Sequence, residues 1–146
     1  SSINDQYFKA AQVVHMLRIL FNNDPLFWSI LRAVNTHFYH QLTDSRVFEQ
    51  YITQLAGLDL TKFFDQYVRN KEIPVLEVRN NAAGYLEYRY TNCIQGFEMP
   101  LDVQINAQPY RIYPGTDWRI GSEKLDCNIV QESSDFLIKI VHTHAE

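Results

Sequence analysis

The sequence predicts an α+β protein: an antiparallel helical bundle in the first half, followed by a small antiparallel β-sandwich. Three observations lead there. Up to about residue 72 apolar residues recur at helical spacing, whereas from residue 73 they alternate, with turn residues about every 8–12 positions. The charge divides at the same place. Residues 1–72 hold seven Lys/Arg and seven Asp/Glu, and residues 73–146 hold six and ten, which accounts for the whole net charge of −4. Finally, Ile73-Pro74 marks the change, because a residue before proline is pushed to extended geometry. The expected units are 1–72 and 73–146.

The first helix is predicted from Asp5 to Phe21, with Phe8, Ala11, Val14, Leu17 and Phe21 as its stripe and Val13 and Leu20 widening it. Asn22-Asn23 stop it. Asp24-Pro25 restarts a helix, with Asp24 accepting from free N–H groups and Pro25 at the first helical position, where its missing N–H costs nothing. Phe27, Ile30, Leu31, Val34 and Phe38 are its buried face. A third helix follows Thr43-Asp44-Ser45, buries Phe48, Tyr51, Ile52 and Leu55, and stops at Gly57. The fourth runs from Asp59 to about Arg69 with Leu60, Phe63, Phe64, Tyr67 and Val68 inward. Short connections make these helices antiparallel neighbours.

The second half reads as six or seven strands. They are Val75–Arg79, a turn over 80–84, Tyr85–Tyr90, Leu101–Ile105, Tyr110–Tyr113, Leu125–Val130 and Phe136–Val141. Leu101, Val103 and Ile105 face one way and Asp102, Gln104 and Asn106 the other.

Composition narrows the function. The chain has 146 residues, 46% hydrophobic, 14% aromatic and 21% charged, which is globular material able to fill a core. A net charge of −4 argues against a nucleic-acid partner held by a basic face. No 18-residue apolar run spans a bilayer. The start, Ser1-Ser2-Ile3-Asn4-Asp5, lacks a Met and a signal-peptide pattern, and reads as a processed or excised chain. Two cysteines, Cys93 and Cys127, are too few for a disulfide scaffold or a four-thiolate zinc site, and read as half-buried thiols. They fit a reducing or an oxidising compartment equally.

No complete active site is legible. His37-x-x-His40 places two imidazoles on one helical face and His142-x-His144 two on one strand face, but neither pair has a third ligand nearby. A metal site built from all four would need them to converge across the two units. His15 is isolated in the first helix. There is no H-E-x-x-H, no G-x-S-x-G and no glycine-rich phosphate loop, and Asp59 and Asp65 read as helix-end and surface carboxylates.

One set of motifs says more. Tyr7-Phe8-Lys9-Ala10 opens an amphipathic helix with a Tyr-x-Lys-small box. Phe21-Asn22-Asn23-Asp24-Pro25-Leu26-Phe27 leads into an F-x-x-x-L-R helix ending at Leu31-Arg32. Thr43 and Phe48 stand as Thr-x-x-x-x-Phe at a helix start, close to a Thr-x-x-x-Phe pattern. Gly57-Leu58-Asp59-Leu60 runs on to Phe63-Phe64-Asp65-Gln66-Tyr67, and Pro74-Val75-Leu76-Glu77 opens the β half. In this order over about 70 residues the set resembles the aminopeptidase N family of zinc metallopeptidases, the gluzincin aminopeptidases.

The resemblance implies the last helices of a metallopeptidase catalytic domain followed by an immunoglobulin-like β-sandwich. It implies an enzyme that hydrolyses N-terminal residues from peptides, with peptides as its substrates and zinc as its cofactor. In that family a tyrosine in the Tyr-x-Lys-Gly box donates a hydrogen bond to the oxyanion of the tetrahedral intermediate, and here that position is Tyr7. A neutral phenol with a pKa of about 10 remains a donor at neutral pH. Ala10 stands where the family has Gly. The zinc ligands, the general base and the G-x-M-E-N substrate box are expected N-terminal of Ser1, so this chain alone is expected to hold no zinc and to be inactive. An exposed apolar helical face carrying Phe8, Val13, Met16 and Phe38, and self-association through it, follow as expectations. The alternative is a non-catalytic protein-interaction module on a metallopeptidase-like scaffold.

Overall fold

The computed structural model describes residues 3–38, 44–124, 129–131 and 138–143, with side chains from Gln12 onward. Among the described residues four helices precede seven strands: α1 (Ile3–Phe21), α2 (Asp24–His37), α3 (Ser45–Ala56) and α4 (Thr61–Phe64), then β1 (Val75–Asn80), β2 (Tyr85–Thr91), β3 (Leu101–Ile105), β4 (Gln108–Ile112), β5 (Arg119–Lys124), β6 (Ile129–Gln131) and β7 (Lys139–His142).

Helix α1 buries Val13, Met16, Leu17 and Leu20, the i, i+3, i+4, i+7 row of one face. Val14, expected on the stripe, is exposed instead. Asn22 ends the helix at φ 49°, a left-handed position that Asn tolerates. The cap of α2 is one residue earlier than expected. Asn23, not Asp24, accepts the Leu26 N–H at 3.0 Å. Asp24 is occupied elsewhere, taking two hydrogen bonds from Arg18 at 3.1 and 2.9 Å, which lower its pKa. Phe27, Ile30 and Val34 are buried, and Leu31 and Phe38 pack at the margin. Asp44 caps α3; Gly57 ends it at φ 66°, as the sequence predicts, but Leu55 is exposed.

Helix α4 departs most from expectation. Asp59 accepts from the Thr61 N–H at 3.0 Å, and the α-helical part covers only Thr61–Phe64. Asp65–Arg69 is a π-helical turn that turns Gln66 and Tyr67 inward and leaves Val68 exposed.

The strands form two sheets, β5-β2-β1-β7 and β4-β3-β6. The pairs are antiparallel except β1 with β7, which run parallel, so the sandwich is mixed rather than purely antiparallel. Strand β5 lies where none was expected. The strand expected over Leu125–Val130 appears as β6, and the last strand begins at Lys139; residues 125–128 and 136–137 of those predictions lie outside the described residues.

Leu76, Val78, Leu86, Tyr88 and Tyr90 face Leu101, Val103, Ile105, Ile112 and Ile129 across the core. Tyr85, first of the β2 series, points outward. Between β3 and β4, Asn106 and Ala107 both have positive φ, the signature of a tight two-residue hairpin turn. Outside the larger sheet, Arg79 pairs with Glu87 at 2.7 Å and Arg89 with Glu77 at 2.9 Å, while both guanidiniums lie against the Trp118 ring.

The helices and the sandwich share one core. A chain of rings runs from Phe63 to Tyr67 (5.2 Å), Phe97 (6.1 Å) and Tyr90 (5.0 Å). Gln66, fully buried, donates to the Glu72 carbonyl at 2.9 Å and accepts the Ile94 N–H at 2.8 Å. Burial of this kind is tolerated only when the amide is satisfied at both ends.

Candidate functional site

Tyr7 is the fifth residue of α1, in the second turn of a helix that begins two residues earlier than expected. Its side chain, like that of Phe8, lies outside the described residues. The structure therefore defines the helix that carries Tyr7 and what holds that helix.

Two things hold it. Along its length, α1 packs on α2, and an apolar groove of about 350 Å3 lies between these helices and α3, lined by Leu17, Phe27, Ile30, Val34, Phe48 and Ile52 together with Phe64 and Tyr67. One charged group lies in this wall. The Glu49 carboxylate, 8% exposed, accepts from the Ser45 hydroxyl and from Arg69 Nη2 at 2.5 Å, and Arg69 also reaches Asp65 at 3.3 Å. With its acceptor sites taken and its charge matched, Glu49 is a structural carboxylate that fixes α3 to the π turn. The groove offers apolar contact and no acid–base chemistry.

At its end, α1 is held from the sandwich. The last carbonyls of a helix lack partners within it and carry the negative end of the helix dipole. Arg111, on β4, donates to the Leu20 carbonyl at 2.6 Å and to the Ile19 carbonyl at 3.3 Å. Asp102, its cross-strand partner on β3, accepts from the same guanidinium at 3.0 and 3.2 Å. Alternation placed Asp102 on a polar outer face, and the structure puts that face against the end of α1.

Of the four candidate metal-ligating histidines, two lie among the described residues. His37 stacks on Tyr51 with ring centroids 4.3 Å apart, which makes it a packing residue. His40 and His144 lie outside the described residues, and His142 ends β7. Among the described residues no group of three His, Cys, Asp or Glu side chains could hold a metal ion. Cys93 is half-buried and in no disulfide among the described residues, and burial raises its thiol pKa; Cys127 lies outside them. Burial likewise pushes the phenols of Tyr67 and Tyr90 well above their usual range.

The expected apolar patch is also corrected. Val13 is 9% and Met16 0% exposed, because both face the core between α1 and its neighbours, so neither contributes to an open face. Phe38 is half-buried against Phe48 and Tyr51. No described helix is long and apolar enough to cross a membrane.

Sequence reasoning missed Arg111, Gln66 and Glu49. Arg111 gives no local signal, since its partners on α1 stand ninety-one and ninety-two residues away. Gln66 was visible only as one letter of a motif.

No family model matches the chain, and no curated protein matches its sequence. Solved structures do. The fold is similar to that of aminopeptidase A from Legionella pneumophila, determined in complex with aspartic acid, with a TM-score of 0.67 and 12% identity. The match covers 94% of this chain and 18% of that one, so the chain spans under a fifth of the length of the enzyme it resembles. At that identity the likeness concerns fold alone: helices and sandwich together are an arrangement that occurs within an aminopeptidase.

Proposed function

We propose that this chain is the C-terminal portion of a zinc-dependent aminopeptidase of the aminopeptidase N type, supplying the last helices of the catalytic domain (1–72) and the β-sandwich after it (73–146). One observation carries this reading. The likeness to an aminopeptidase runs through helices and sandwich together, over 94% of the chain, rather than through the common sandwich alone. The ordered motifs from Tyr7 to Glu77 support it independently.

In this reading zinc and its ligands belong to another part of the enzyme, and the chain alone is inactive. Tyr7 is the residue of this chain that meets the reaction. Its neutral phenol donates a hydrogen bond to the oxygen that gains negative charge as the scissile carbonyl becomes tetrahedral. The bond is stronger to that oxyanion than to the ground-state carbonyl, so it lowers the barrier rather than merely tightening binding.

The test is Tyr7→Phe in the complete gene product, assayed on an alanyl-anilide substrate. Loss of one oxyanion donor lowers kcat by roughly 10²–10³ with little change in KM. An unchanged kcat would remove Tyr7 from the mechanism, and absence of hydrolysis by the wild type would remove the aminopeptidase reading.

A further inference from the structure

We propose that Arg111 is a positioning residue that holds α1, and through it Tyr7, in register from the β-sandwich; the catalytic half of this inference rests on the aminopeptidase reading above. The geometry is that of a clamp. Arg111 Nη2 lies 2.6 Å from the Leu20 carbonyl and Nη1 lies 3.3 Å from that of Ile19, so one planar group grips two successive carbonyls in the last turn of the helix. Asp102 accepts from Nη1, the nitrogen that also reaches Ile19, at 3.0 and 3.2 Å, and β3 and β4 pair these two residues directly across the hairpin. Arg111 is half-buried, with its side chain 21% exposed. Its charge therefore meets the helix dipole in a medium less screening than water.

A solvated arginine would not need this arrangement. Arg111 occupies the outward side of a short edge strand, where most positively charged side chains extend into water. Here it is turned to a helix end ninety residues earlier in the chain, and its carboxylate partner is fixed by strand register rather than by chance proximity. The polar face of β3 and β4 is thus a docking face for α1.

The consequence reaches Tyr7 because a helix is stiff. Tyr7 and Leu20 are thirteen residues apart on α1, about 20 Å at 1.5 Å per residue. An axial slip at the clamped end is passed undiminished to the other, and a tilt about the clamp is enlarged by that lever arm. Reacting groups tolerate little of either, since a misplacement of about 1 Å costs on the order of 10²-fold in rate.

Two measurements test this. The first is amide exchange along α1 in Arg111→Lys and Arg111→Met. Met removes the grip, and Lys keeps the charge but only as a point donor. Exchange through α1 is expected to rise about 10-fold in Met and less in Lys, on the scale of one lost charge-assisted hydrogen bond, with β1 and β2 unchanged. Equal exchange in all three proteins overturns the clamp whatever the enzyme does. The second is a double-mutant cycle with Tyr7→Phe in the complete gene product. Arg111→Met should lower kcat by roughly 10–100-fold with KM nearly constant, yet cost under about 3-fold more when Tyr7 is already Phe. A fall of the same size in both backgrounds overturns the positioning role and leaves only a contribution to folding. A Tyr7→Phe enzyme with full activity, or an inactive wild type, overturns the aminopeptidase reading and the catalytic half with it, while the exchange result still decides the clamp. Asp102→Asn, which loosens Arg111 without removing it, is expected to fall between wild type and Met in both assays.

Discussion

Replacing Gln66 with Leu separates the two halves of the chain at one fully buried amide. Gln66 is 0% exposed and ties the π turn to the segment before β1 and to the loop between β2 and β3, donating to the Glu72 carbonyl at 2.9 Å and accepting the Ile94 N–H at 2.8 Å. Leu has a similar volume, so packing changes little and the loss is polar. The Ile94 N–H, half-buried, is left without an acceptor, at about 1–3 kcal/mol, while the Glu72 carbonyl lies on an exposed residue and turns partly to water, at about 0.5–1.5 kcal/mol. The sum is about 1.5–4.5 kcal/mol, which for a chain of this size lowers Tm by roughly 5–15 °C. Urea unfolding followed by circular dichroism measures it. Gln66→Glu sharpens the test. Its carboxyl oxygen still accepts from Ile94, and when protonated it still donates to Glu72. Burial raises the folded-state pKa of such a carboxyl, so its stabilising contribution is complete below the unfolded value of about 4.3 and is lost as pH rises. Gln66→Glu should therefore approach wild type near pH 4 and fall toward Gln66→Leu at pH 7. A Gln66→Leu protein within about 0.5 kcal/mol of wild type would refute the bridge, being no more than an ordinary surface substitution costs.

Two further predictions follow from single positions. Gly57 ends α3 at φ 66° with open space where a methyl group would stand, so Gly57→Ala carries conformational strain alone and should cost about 1–2 kcal/mol by urea unfolding; a neutral result would contradict the left-handed cap. The phenols of Tyr67 and Tyr90 have raised pKa values through burial, so their contribution is intact below pH about 10 and lost above it, at up to about 1.4 kcal/mol per pH unit for each. Tyr90→Phe also loses the bond to the Met99 carbonyl, and should flatten the decline of stability between pH 10 and 11 relative to wild type; an unaltered slope would contradict the burial of that phenol.

What the sequence made legible was local and periodic. The row Phe27-Ile30-Val34, the Gly57 stop and the alternation of Leu101, Val103 and Ile105 stand as read, because each depends on neighbours within one turn or one pleat, whereas Val13 and Met16, expected on an open face, are buried. Errors arose where a distant partner won. Asp24 left its cap for Arg18, and Asn23 took the role. Strand β5, Arg119–Lys124, holds only Ile120 as a large apolar residue, and that residue is exposed, so no apolar alternation announced it. The π turn adds one residue to a helical turn, which throws Val68 off the stripe that a 3.6-residue period assigns it. The parallel pairing of β1 with β7 joins segments 64 positions apart in register, Val75 with Lys139, beyond the reach of any pattern in one strand. The candidate site was legible only at Tyr7, through its motif. Arg111 and Asp102, which hold that helix from the sandwich, read as ordinary polar faces until the fold brought them to the end of α1.

The proposed role of this chain is to serve an aminopeptidase and to meet its reaction through Tyr7. Its most direct test is the steady-state hydrolysis of an alanyl-anilide by the complete gene product, wild type against Tyr7→Phe. Turnover by the wild type is expected, with a kcat about 10²–10³ lower in Tyr7→Phe at nearly constant KM. A wild type without hydrolysis, or two enzymes with the same kcat, would contradict it.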